Sequence, residues 1–75
     1  MSVAMEEHEF TPTGEFIELH QLLKLSGLCD SGGAGKAMVA SGIVSVDGKQ
    51  ELRKTAKVRA GQSVTVGQVR IRVVR

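Results

Sequence analysis

Gly42-Ile43-Val44-Ser45-Val46-Asp47-Gly48 is the stretch whose reading decides the fold. Val44 and Val46 alternate with Ser45, a period of two that belongs to a half-buried strand. Asp47-Gly48 then supplies the dipeptide that a two-residue hairpin turn favours. Lys49-Gln50-Glu51 is therefore expected to run back along the strand before it. Downstream the same grammar recurs. Gly61-Gln62 marks a turn, Val64 and Val66 alternate with Ser63 and Thr65, Gly67-Gln68 marks a second tight turn, and Val69, Ile71 and Val73 alternate with Arg70 and Arg72.

Upstream of Gly42 the period is helical. Leu19, Leu22, Leu23 and Ser26 recur on one side, with His20, Gln21 and Lys24 on the other, after a short extended lead-in at Phe16-Ile17-Glu18-Leu19. Gly27 suits the end of this helix of about two turns. Ser31 is a good N-cap for a second helix, because its hydroxyl accepts from a first-turn N–H. Ala34, Ala37, Met38 and Val39 are expected to form its packing face, and Gly42 to stop it. Gly32, Gly33 and Gly35 weaken the start, each by about 1 kcal/mol relative to Ala in a helix interior. Helix, helix, then several antiparallel strands defines an α+β class. Residues 1–14 are acidic, lack a clear period and end in Pro12-Thr13-Gly14. They read as a loosely ordered tail on a single domain spanning 15–75.

Size and composition exclude much. A chain of 75 residues makes one small domain with a core of Val, Leu, Ile, Ala and Met, since Phe10 and Phe16 are its only aromatics. Such a domain is hard to build around a deep substrate pocket. Cys29 is the single cysteine, which rules out an intrachain disulfide and fits a reducing compartment. Met1–Glu9 has neither the basic nor the apolar region of a signal peptide, and no segment approaches the roughly 20 apolar residues of a membrane span. A cytoplasmic location is the expectation.

The charge is uneven. Residues 1–30 carry six acids and one base, net −5, whereas 31–75 carry nine bases and two acids, net +7. This asymmetry predicts a dipolar surface with a preferred side for polyanions, with nucleic acid the first candidate.

Several motifs fail on inspection. Gly33-Ala34-Gly35-Lys36 invites a phosphate-loop reading, but Asp30 stands where the first glycine belongs and Ala37 where Ser or Thr would bind magnesium. His8, His20 and Cys29 show no metal-ligand spacing, so no metal site or cofactor is expected. Cys29 reads as a small, partly buried residue rather than a nucleophile. What survives is binding chemistry. Ser31-Gly32-Gly33 exposes backbone N–H groups at a helix start, where the dipole favours anions and Lys36 can close on the same phosphate. Lys49, Arg53, Lys54, Lys57 and Arg59 form a one-sign cluster opposed only by Glu51. Arg70, Arg72 and Arg75 are ambiguous, since alternation on an exposed sheet face explains the first two.

These segments, in order, resemble the ribosomal protein S-four-like RNA-binding domain, or alpha-L motif, and more narrowly its short stand-alone bacterial members. Ile17-Glu18-Leu19 leads into Leu22-Leu23-Lys24-Leu25 and Gly27; Ser31-Gly32-Gly33 precedes Lys36; Gly42–Gly48 is similar to the family's G-x-V-x-V-N-G hairpin. Arg53-Lys54 and Lys57-Val58 match its basic loop, and Gly61-Gln62-Ser63-Val64 its closing turn. The resemblance covers about residues 16–74. It implies two short packed helices followed by a small, bent antiparallel sheet of about four to five strands. It also implies RNA contacts at Ser31, Gly32, Gly33, Lys36, Lys49, Arg53, Lys54 and Lys57, with Lys24 a weaker candidate. Glu18 stands where many relatives carry a base, Gly32 where many carry arginine, Asp47 in place of the common asparagine and Gly35 in place of the usual alanine.

The expected function is that of a non-catalytic module for structured RNA, rRNA or tRNA on ribosomal particles, without a small-molecule substrate or membrane. With so few aromatics to stack on bases, recognition falls to phosphates, 2′-hydroxyls and shape. Two alternatives are a protein-interaction adaptor on ribosomal particles and an RNA-targeting subunit acting in trans for an RNA-modifying enzyme. The acidic half is expected to face away from the RNA.

Overall fold

The computed structural model describes residues 6–75. Nine elements follow one another: β1 (Glu6–Phe10), β2 (Ile17–Glu18), α1 (Leu19–Leu25), α2 (Gly32–Ala40), β3 (Val44–Val46), β4 (Lys49–Gln50), β5 (Lys57–Val58), β6 (Ser63–Val66) and β7 (Val69–Val73). The two helices pack together beside a five-stranded sheet of order β1-β7-β6-β3-β4, and β2 pairs with β5 in a second, two-stranded sheet. The α+β class holds. Its order departs from helices followed by strands, because β1 and β2 precede α1, and the large sheet is not wholly antiparallel.

The hairpin that opened the reading forms as expected. Asp47 and Gly48 both take positive φ, 52° and 84°, and set Val46 opposite Lys49. Asp47 does more than turn the chain. Its carboxylate accepts from the Ser63 N–H at 2.9 Å and from the Gln62 amide at 3.1 Å, tying the hairpin tip to the turn before β6.

The core is aliphatic. Leu19, Leu22 and Leu23 from α1 meet Val39, Val44, Val58, Val64, Ile71 and Val73, all but fully buried, with Ile17, Cys29 and Val66 at its margin. Ser31 caps α2, accepting from Ala34 N–H at 3.2 Å. The packing face of α2 is narrower than the sequence suggests. Gly35, Met38 and Val39 point inward, while Ala34 and Ala37 are exposed. A methyl group added at Gly35 would stand 2.7 Å from the carbonyl oxygen of His20. Gly35 is thus a contact glycine between the helices. It costs helix propensity and permits the close crossing.

The tail expectation is corrected over Glu6–Phe10. These residues form a strand parallel to β7, from Glu6 opposite Val69 to Phe10 opposite Val73. Its ends are fixed by Glu6 N–H to Gln68 C=O at 2.8 Å and Val74 N–H to Phe10 C=O at 2.9 Å. Glu6–Glu9 are all exposed and only Phe10 reaches the core, so backbone bonding at a sheet edge holds the strand. No apolar alternation exists to betray it. Residues 11–14 carry neither helix nor strand, and residues 1–5, the start of the expected tail, lie outside the described residues.

Candidate nucleic-acid interface

Helix α1 begins without a side-chain cap. The first N–H groups of any helix lack intrahelical partners, and here the basic loop supplies them. Leu19 N–H donates to Ala56 C=O at 2.9 Å and His20 N–H to Lys54 C=O at 3.0 Å. The loop's carbonyls turn inward onto α1, and Arg53, Lys54 and Lys57 are left exposed. The His20 carbonyl is also the point where α2 approaches α1, at Gly35. Gly35 of α2 and Lys54 of the loop therefore both approach one residue, His20.

An open groove of about 700 Å³ runs beside the loop, lined by Arg53, Lys57, Arg59 and Gln62 and by no acid. Lys57 and Arg59 flank buried Val58, so both stand on the outer side of β5 and its exit. Their heads lie over Phe16, with Lys57 Nζ 4.9 Å and Arg59 Cζ 5.9 Å from the ring centroid. At such distances the ring quadrupole attracts the cations. Phe16, 38% exposed, is therefore a platform for two bases. Gln62 fixes the far wall: its Oε1 accepts from Arg59 N–H at 2.8 Å while its amide N–H donates to Asp47.

Not every base is equal. Glu51 accepts from Arg53 through the backbone N–H at 3.0 Å and the Nε–H at 3.3 Å. The Arg53 backbone bond, then its guanidinium, hold the Glu51 carboxyl below the usual carboxylate range. Arg53 is paired with Glu51 although its side chain is 80% exposed, so the pairing is weak. Glu18 lies directly across β2–β5 from Lys57 and bonds His20 Nε2 at 2.9 Å, so the α1 side of the surface carries an acid. Lys49 sits on the edge strand β4, outside the groove. Gln50 beside it donates to Gly42 C=O at 2.9 Å, which places the base of the hairpin at the opposite end of α2 from Ser31.

The segregated dipole is also corrected. Glu7 lies in register with Arg70, and Glu9 with Arg72. The acidic segment is folded against the arginines of β7, not held apart from the bases. Arg59 belongs to the basic cluster read from the sequence although the resemblance did not imply it as a contact; Phe16 and Gln62 were absent from both. Phe16 and Gln62 carry no charge to mark them, and the partners that place them at the site, Lys57 and Arg59 for Phe16 and Asp47 for Gln62, are distant in the chain. Cys29 is buried, its thiol pushed up by desolvation and by neighbouring Asp30, and it contacts Met38 Sδ at 3.8 Å. That is the environment of an inert packing residue. Among the described residues no three His, Cys, Asp or Glu side chains converge as metal ligands, and no helix is long and apolar enough to cross a membrane.

Two packed helices, a hairpin pinned to the following turn, and a basic loop capping the first helix define an alpha-L fold. The chain belongs to the S4 domain family, whose model matches residues 10–74. Among similar proteins, YbcJ of Escherichia coli (strain K12), whose name proposes RNA binding, is 45% identical over 58 residues, covering 77% of this chain and 83% of that one. YbcJ of Shigella flexneri matches to the same extent. The solution structure of the Escherichia coli protein, described as having an alpha-L motif involved in RNA-binding, superposes with a TM-score of 0.68 at 36% identity. It covers all of this chain and 94% of that one.

Proposed function

We propose that this protein is a non-catalytic module that binds structured RNA through the loop 51–60 and the start of α2. One observation carries the reading: Arg53, Lys57 and Arg59 surround an acid-free groove on a loop whose backbone is fastened to α1. Lysine and arginine neutralise phosphates and position the chain on the nucleic acid without reading its sequence. Ser31, Gly32, Gly33 and Lys36 add backbone N–H groups and one cation at the adjoining helix start. Lys54 lies between these two parts. Lys49 is a peripheral contact, reached only by an RNA that extends to the sheet edge. Phe16 is occupied by two cations, so the surface has little to stack bases on, which favours folded RNA over single strands. Family membership and the RNA-binding descriptions of the relatives support the same reading.

The targets proposed are rRNA or tRNA on ribosomal particles in the cytoplasm. Lys54→Glu with Lys57→Glu should nearly abolish binding to a folded rRNA or tRNA fragment in a filter or fluorescence assay. Unchanged affinity would refute the loop as the contact. Association with ribosomal particles should disappear after ribonuclease digestion; retention of the same partners would favour a protein-interaction adaptor.

A further inference from the structure

A second groove, of about 600 Å³, opens on the outer face of the large sheet and carries Gln62, Ser63, Arg70, Arg72 and Arg75. It adjoins the loop groove, since Ala60 and Gln62 line both, and Arg59 stands at the junction with the segment from Thr11 to Glu15. Arg70 lies opposite Thr65 and Arg72 opposite Ser63, so each guanidinium shares its row with a hydroxyl-bearing residue. Among the described residues, Arg59, Arg70, Arg72 and Arg75 form no ion pair within 4.0 Å, although Glu7 and Glu9 lie in the neighbouring strand.

We propose that this groove is a second phosphate-binding surface, holding the second strand of an RNA stem whose first strand lies along the loop groove. The proposal rests on the loop reading for the first strand. Four reasons favour RNA. The groove is continuous with the first basic surface. Its guanidiniums are free to make bidentate contacts with phosphate oxygens. Ser63 in its lining, and Thr65 beside it opposite Arg70, offer hydroxyls suited to 2′-hydroxyls and phosphates. The groove also lacks an exposed aromatic that would anchor a protein partner. Glu7 and Glu9 set a limit: their charge lowers the potential at Arg70 and Arg72, so the groove holds RNA only when the loop has already brought it close.

The test compares an RNA hairpin with a stem of about 16 base pairs and a single strand of the same composition. Arg70→Gln, Arg72→Gln and Arg75→Gln together should weaken hairpin binding about tenfold, reduce its salt slope by roughly two to three, and change single-strand binding less than about twofold. Arg72→Gln alone, on an exposed side chain, should reduce the slope by about one and guards against misfolding of the triple variant. Wild-type hairpin affinity and slope in both variants would overturn the proposal. So would displacement of the hairpin by polyglutamate at equal charge concentration, which would indicate an acidic protein partner. If Lys54→Glu with Lys57→Glu abolishes binding while the arginine variants bind normally, this inference fails and the proposed function stands. The reverse pattern removes the loop reading and, with it, the claim that this groove holds the second strand of a stem bound first by the loop.

Discussion

Asp47 shows how much one atom decides. Gln62 Oε1 is committed to Arg59 N–H, so the Gln62 amide N–H must meet an acceptor at Asp47. An asparagine at this position would keep the left-handed turn but has one oxygen for two donors. Asp47→Asn should therefore cost about 1 kcal/mol, the value of one net hydrogen bond. A urea denaturation midpoint would show it, and an unchanged midpoint would mean that Gln62 rearranges freely. In this chain the carboxylate at position 47 serves two donors, Gln62 and Ser63. Gly35 makes the opposite case. In an open helix, Gly→Ala stabilises by about 0.5–1 kcal/mol. Here the new methyl meets a backbone carbonyl at 2.7 Å, which no rotamer change relieves. Gly35→Ala should destabilise by about 1–3 kcal/mol and lower the melting temperature; a rise would contradict the close helix crossing.

At the scale of elements, the acidic strand β1 has a job that composition did not predict. It covers one edge of β7 and offers solvent a row of charges, a usual defence against edge-to-edge aggregation. It also sets Glu7 and Glu9 against Arg70 and Arg72. Glu6→Gln, Glu7→Gln and Glu9→Gln together should raise nonspecific RNA affinity, by about threefold or more at low salt. Unchanged affinity would show that the strand acts only on the fold. The elements divide sharply in legibility. The β3–β4 hairpin, the Ser31 cap and the alternating strands near the end were readable because each depends on local chemistry: a positive φ, a hydroxyl at the right offset, a period of two. β1 was not, because its stability resides in hydrogen bonds to a strand some sixty residues away. The β2–β5 pair was similarly hidden, with two residues on each side and partners separated by two helices. The basic loop was legible as charge, but its anchoring through the carbonyls of Lys54 and Ala56 was not, since backbone acceptors carry no residue signature.

For the whole molecule, stability and function draw on the same contacts. A 75-residue domain is expected to have a stability of about 4–11 kcal/mol, so the loss of one helix contact or hairpin tie is a sizeable fraction. The loop that carries Arg53, Lys57 and Arg59 also caps α1, and the residue that shapes its groove, Gln62, also secures the hairpin. Loosening the fold should therefore blur the binding surface before it unfolds the protein. The sequence's two charge halves become interleaved in three dimensions, which restricts attraction to places where bases stand without acids. The loop groove is the clearest of these. The most direct measurement is the salt dependence of binding to a folded rRNA or tRNA fragment. The four phosphate contacts from Arg53, Lys54, Lys57 and Arg59 alone should make affinity fall by about hundredfold or more between about 50 and 200 mM salt, and the slope should shrink when Lys54 and Lys57 are replaced. A flat response to salt would contradict phosphate recognition by the loop.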